Sequence, residues 1–137
     1  VTGLVVCGLV LAAASVYGVL HRRRSGRVRV RGRDGDKRVG AAELGEGLGE
    51  RATLVQFSSA FCAPCRATRR VLADVAGMVP GVAHVEIDAE EHLDLVRRLD
   101  ILKTPTVLVL DADGRIVRRA TGQPRKADVI AALGEAV

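Results

Sequence analysis

Two of the three cysteines in this chain, Cys62 and Cys65, stand two residues apart in the stretch SSAFCAPCRATRRVL, just ahead of a helical pattern. Cysteines at this spacing serve as half of a zinc site, as a structural staple or as a dithiol reagent. Zinc requires two further ligands, and a zinc pair of histidines is usually roughly three to five residues apart. His84 and His92 are eight apart, and Cys7 lies in an apolar N-terminal run, so no metal site is expected. A staple closing so short a loop restrains the unfolded chain very little. Residues three apart on one helix face do meet the disulfide range of roughly 4.4–6.8 Å between Cα atoms. The pair therefore reads as a redox reagent.

The surrounding residues support that chemistry. Cys62 falls at the mouth of a strand-to-helix loop, where unpaired helical N–H groups favour an anion, so its sulfur is the one expected to ionise. Phe61 precedes it, and Ala63 and Pro64 lie between the cysteines; proline fits a first helical turn without losing a needed N–H. Arg66, Arg69 and Arg70 add positive charge, as a merely solvated basic face also would. A Cys62 thiolate attacks a substrate disulfide, and the more buried Cys65 then attacks Cys62 and releases the reduced product. The chain carries no flavin or nicotinamide fingerprint. The only redox group expected is the Cys62–Cys65 disulfide, with electrons arriving from an upstream thiol donor.

Positioning such a pair requires a rigid frame, and the pattern after residue 40 supplies one. AAELGEGLGE reads as a short helix broken by glycines, and TLVQF from Thr53 as a buried strand. CRATRRVLADVAG is helical, with Ala67, Val71, Leu72 and Val75 on one face and Gly77 as its stop. VAHVEID alternates as a strand, and AEEHLDLVRRLD is helical, with Leu93, Val96 and Leu99 together. TPTVLVL is an apolar strand led by Pro105; DADG turns it into an antiparallel RIVRRA. PRKADVIAALGEAV closes the chain as a helix, with Pro124 in its first turn. Strands alternating with helices and ending in a hairpin predict an α/β fold, a mixed sheet of about four to five strands covered on both faces.

Two of these segments resemble one family. LVQFSSAFCAPCRATRRVLADVA, followed some forty residues later by KTPTVLVLDADGRIVRRATG, is similar to thioredoxin over about residues 41–137. The resemblance implies the thioredoxin fold, protein disulfide substrates and a donor such as a thioredoxin reductase. It further implies a cis Pro105 facing the cysteines, with Thr104 offering backbone groups to a bound substrate strand. The sequence departs from the family at four positions. Phe61 stands where the family has Trp, Ala63 where it has Gly, and Gln56 where it has a buried Asp. His84 aligns with the family's Lys on the next strand. Gln56 cannot take the proton that the Asp normally accepts from the resolving cysteine. His84 either replaces it as a base, with an unperturbed pKa of roughly 6.5, or packs on the strand without a chemical part.

The N-terminus carries the remaining signal. VTGLVVCGLVLAAASVYGVL holds twenty residues without a charged side chain. At ~1.5 Å per residue that helix matches a hydrocarbon core about 30 Å thick. A buried core helix would not be apolar all round; a cleaved signal peptide would carry its positive charge before the run, although LAAAS resembles a cleavage site. A single-pass anchor over residues 1–20 is the favoured reading. Residues 21–40 form a basic juxtamembrane linker. Its alternation around Asp34-Gly35 makes it a candidate hairpin or edge strand. The first forty residues carry nine Arg or Lys against two Asp, whereas the remainder carries twelve basic against fourteen acidic. The charge asymmetry argues against a nucleic-acid-binding domain, and the positive-inside bias places residues 41–137 in the cytoplasm. Three functions follow: a membrane-tethered disulfide reductase, an extracytoplasmic oxidoreductase of the same type, and a non-catalytic module holding copper or a partner at the two cysteines.

Overall fold

The computed structural model describes residues 1–24, 28–29 and 37–137. Helix α1 (Thr2–Arg24) is followed by β1 (Val28–Arg29), α2 (Ala41–Leu44), β2 (Ala52–Ser58) and α3 (Ala63–Met78). Then come β3 (Val82–Asp88), α4 (Leu93–Arg98), β4 (Thr106–Asp111), β5 (Ile116–Thr121) and α5 (Lys126–Ala136). The strands form one mixed sheet in the order β1-β5-β4-β2-β3, with β2 and β3 parallel and the other pairs antiparallel. This is the expected α/β sheet with helices on both faces.

Strand alternation sorts the core into two layers. Val55 and Phe57 of β2 and Leu108 and Leu110 of β4 face Val39, Leu44, Leu95 and Leu99. Leu54 of β2 and Val107 and Val109 of β4 face Leu72 and Val75 of α3 and Val129, Ala132 and Leu133 of α5. Gln56 shares the second face and is fully buried, a polar side chain set into an aliphatic layer directly under α3.

Several local expectations change. Gly77 does not stop α3, which continues to Met78; Val79 caps it by donating its N–H to the Val75 carbonyl. The left-handed glycine of this turn is Gly81, at φ 83°. Leu72 and Val75 of the expected α3 face are buried, together with Cys65 and Thr68. Helix α4 is shorter than its pattern. The Asp88 carboxylate accepts the Glu90 N–H and its carbonyl the Glu91 N–H, so a turn occupies the start of the segment. Leu93 is consequently exposed, and Leu95 takes the inward place beside Leu99. Pro124 precedes the N-cap Arg125 of α5 and lies outside its first turn.

The basic segment is partly built into the domain. β1 pairs with β5 through Val28↔Ala120 and Arg29↔Arg119. Ile116 donates its N–H to the Lys37 carbonyl, Val39 donates to Gly114, and the Val39 side chain is fully buried. The Asp34-Gly35 hairpin lies outside the described residues.

Candidate functional site

β2 ends at Ser58, and the chain reaches α3 through Ser59, Ala60 and Phe61. Phe61 takes a positive φ of 58° and its side chain is completely exposed. That conformation turns the backbone so that Cys62 becomes the N-cap of α3, with Ala63 and Pro64 as its first two residues. The Cys62 sulfur accepts the Cys65 N–H at 3.2 Å, the usual place of a capping oxygen. Thr68 donates its hydroxyl to the Pro64 carbonyl at 2.8 Å and fixes the first turn. Cys62 and Cys65 are joined as a disulfide with Cα atoms 5.2 Å apart. Cys65 is only 2% exposed, whereas Cys62 is half-buried and open to a partner.

The loop before β4 faces this pair. The Thr104–Pro105 peptide is cis. The Thr104 hydroxyl lies 4.0 Å from the Cys62 sulfur and shares a 2.7 Å hydrogen bond with Ser59. The structure thus brings Phe61, Cys62, Ala63, Pro64, Cys65, Thr104 and Pro105 to one end of the sheet. Cys7 and His92 stand elsewhere: Cys7 is exposed on α1, and His92 Nδ1 lies 3.0 Å from the Asp88 carbonyl oxygen.

Behind the disulfide lies a directed hydrogen-bond network. Gln56 donates from Nε2 to the Cys65 carbonyl at 2.7 Å and to the Ser58 hydroxyl at 3.0 Å. A carbonyl can only accept, so the amide orientation follows from chemistry. Gln56 Oε1 must then accept, and it does so from His84 Nε2 at 3.2 Å. His84 therefore carries its neutral-state proton on the nitrogen that faces Gln56. Burial lowers the His84 pKa; the Glu86 carboxylate opposes this and the Arg69 guanidinium adds to it.

Glu86 is the residue that sequence reasoning missed. It is the register partner of Gln56 on β3 and forms an ion pair with Arg69. Hydrogen bonding from Arg69 holds its carboxyl below the usual carboxylate range, with Ser58 contributing a further hydrogen bond. The available signal was the two-residue spacing from His84, which puts both side chains on one face of β3. Arg69 is consequently engaged by a carboxylate and lends Cys62 little net positive field. A cleft of about 330 Å³ lined by Ser58, Ser59, Ala60, Glu86 and Asp88 opens beside the network.

Comparison with known proteins gives one answer. Residues 42–135 match the family model described as Thioredoxin. A putative thioredoxin H10 of Arabidopsis thaliana is 33% identical over 69 residues, covering 50% of this chain and 44% of the plant protein. A thioredoxin of Mycolicibacterium smegmatis is 30% identical over 87 residues, covering 61% of this chain and 77% of that protein. The chain spans about half the length of the plant relatives it matches. Among solved structures, Fasciola hepatica thioredoxin superposes with a TM-score of 0.58 at 20% identity, covering 71% of this chain and 88% of the other. That last likeness is one of fold.

Proposed function

The chain belongs to the thioredoxin family, and from that premise we propose that it is a membrane-tethered thiol–disulfide oxidoreductase acting as a protein-disulfide reductase. The observation that carries this reading is the capped pair itself, an accessible Cys62 sulfur at the amino end of α3 bonded to a buried Cys65. In the reduced protein, the Cys65 N–H and the other unpaired amides of the first turn stabilise a Cys62 thiolate. The thiolate attacks one sulfur of a substrate disulfide, and the other substrate sulfur leaves as a thiolate and takes up a proton. Cys65 loses its proton and attacks Cys62, which releases the second substrate sulfur. Two electrons and two protons pass to the substrate, and the Cys62–Cys65 disulfide is formed. An upstream dithiol donor returns it to the reduced state. Thr104 and Pro105 form the wall along which a substrate strand lies beside Cys62.

The tether is α1. Residues Thr2–Arg23 are long and apolar enough to cross a bilayer and are unburied. His21, Arg22 and Arg23 follow the apolar run, and the positive-inside bias places the redox domain in the cytoplasm. In the network behind the disulfide, His84 keeps its Nε2 proton on the hydrogen bond to Gln56 and so holds the amide that supports Cys65, and the Cys65 proton leaves to solvent in the resolving step. The test is insulin-disulfide reduction by the full chain in vesicles, with an impermeant thiol reagent reporting which side the reduced cysteines face. Turnover abolished by Cys62→Ser is expected. Absence of turnover with an intact dithiol would favour a binding module, and labelling from the outer face of intact cells would place the domain outside.

A further inference from the structure

We propose that the disulfide end of the sheet faces the bilayer, and that its substrates are disulfides of integral membrane proteins at headgroup level. This rests on the anchored reading of α1 given above. The argument begins with strand register. Val28 pairs with Ala120, Ala120 with Val107, and Val107 with Gln56, so Val28 shares a rung with the residue that supports Cys65. One residue further along, Arg29 lies level with Val55. β1 therefore runs opposite to β2, and the chain arriving from α1 joins the sheet at the end where β2 delivers the cysteines. Sheet twist of about 20–25° per strand turns β1 relative to β2 but leaves that junction on the disulfide half of the sheet.

The connection from α1 to β1 is short. Three residues separate Arg24, the last of α1, from Val28. At a maximum of ~3.6 Å per residue, the two ends lie within about 14 Å of each other. Three strand spacings of ~4.8 Å, about 14 Å again, separate β1 from β2. With α1 in the membrane, the domain has little freedom to turn its disulfide end into bulk solvent.

The surface of that end fits an interface. Among the described residues after α1, the two most exposed large apolar side chains are Phe61 at 101% and Leu102 at 90%. Both belong to loops at the disulfide end, and the exposed cations Arg66 and Lys103 follow closely in sequence. Apolar bodies flanked by cations match the headgroup layer and its anionic lipids. The carboxylates of this end, Glu86, Asp88, Glu90 and Glu91, are on β3 or in the turn directly after it, on the side of the sheet farthest from β1. A disulfide near the headgroups of the same membrane thus meets Cys62 at high effective concentration, while a soluble protein must enter a narrow gap.

The sequence contains no tryptophan, so single substitutions report position. Phe61→Trp and Leu102→Trp mark the disulfide end; Ala112→Trp, in the β4–β5 turn, marks the far end. The full chain is placed in phosphatidylcholine–phosphatidylglycerol vesicles carrying a doxyl label near the headgroup. Several-fold stronger quenching at the first two positions than at Ala112→Trp is expected. A long Gly-Ser insertion after Arg24 should erase that difference. It should also lower the rate on a single-span peptide with a juxtamembrane disulfide, relative to the rate on insulin. Equal quenching at both ends, or an insertion without effect, overturns the proposal. Failure of the chain to float with vesicles overturns it together with the anchored reading, whereas loss of insulin turnover alone strikes only the redox assignment.

Discussion

The Gln56 side-chain amide and the Cys65 backbone carbonyl are joined by a buried 2.7 Å hydrogen bond. That contact ties the sheet to the first turn of α3, and it makes Gln56 a hub with a fixed orientation. One donor goes to the Cys65 carbonyl, another contact to Ser58, and the amide oxygen accepts from His84. Cys65 thus has a neutral amide behind it and an imidazole one step further away.

Replacing Gln56 by Asp should convert this hub into a pH-sensitive strut. The new carboxylate would face the Cys65 carbonyl, two acceptors in a buried space, so its pKa rises. A folded-state pKa raised above the unfolded value gives stability that is present at low pH and lost as pH rises through the folded pKa. Gln56→Asp should therefore be less stable than the native protein by about 1–3 kcal/mol at pH 8, with the gap narrowing toward pH 5. A gap independent of pH, in denaturant titrations, would contradict this account.

His84 sets a second pH dependence, of opposite sign. Its folded pKa is lowered, chiefly by burial. The unfolded chain takes up a proton near the ordinary value of about 6.5 while the folded protein resists it. Stability should fall as pH drops from 7 through the folded pKa, and His84→Gln should flatten that slope. Glu86, also lowered, acts in a separate window below the ordinary carboxylate range. If resolution of the mixed disulfide slows over the same interval as His84 titrates, and His84→Gln removes the effect, His84 acts on Cys65 through the Gln56 hydrogen bonds. Superimposable stopped-flow profiles would show that it does not.

The two cysteines should differ in trapping. Cys62 is half-buried and Cys65 almost wholly covered. Cys65→Ser should accumulate mixed disulfides with substrate, visible as mass shifts on non-reducing gels, and Cys62→Ser should accumulate none. Equal accumulation would sink the division of roles.

Much of this was legible in the sequence because it is local. The CAPC spacing and the alternation of VAHVEID and TVLVL depend on near neighbours. The β3 bounds fall where the pattern places them, at Val82 and Asp88. What escaped depended on long-range register or on competing turns. Glu86 acquires its place only because β2 and β3 pair in parallel with Gln56 opposite it. Leu93 and Leu95 exchange roles because an Asp88 turn delays α4 by several residues. Val39 looked like the end of a charged linker, and only the three-dimensional closure of the β4–β5 turn reveals it as core.

That placement of Val39 yields the last prediction. Its side chain is fully buried beside Leu110 and Ile116, and its N–H donates to Gly114 at 2.8 Å. Gly114 is at φ 82°, and a Cβ there would come within 2.4 Å of the Val39 carbonyl oxygen, so the close approach of the two backbones requires glycine. Lys37 adds a 3.0 Å ion pair to Asp100, although such exposed pairs contribute only about 0–1 kcal/mol. The apolar side chain is the larger effect. At about 0.8 kcal/mol per buried methyl group plus a cavity term, Val39→Ala should cost about 2 kcal/mol. A fragment of residues 41–137 should be destabilised by at least as much relative to residues 37–137, since it loses the same side chain and the Val39–Gly114 hydrogen bond. Urea titrations of the two fragments and of Val39→Ala would measure this. Coincident midpoints for 41–137 and 37–137 would show that the folded unit begins after the basic segment, and that Val39 only covers a core already complete.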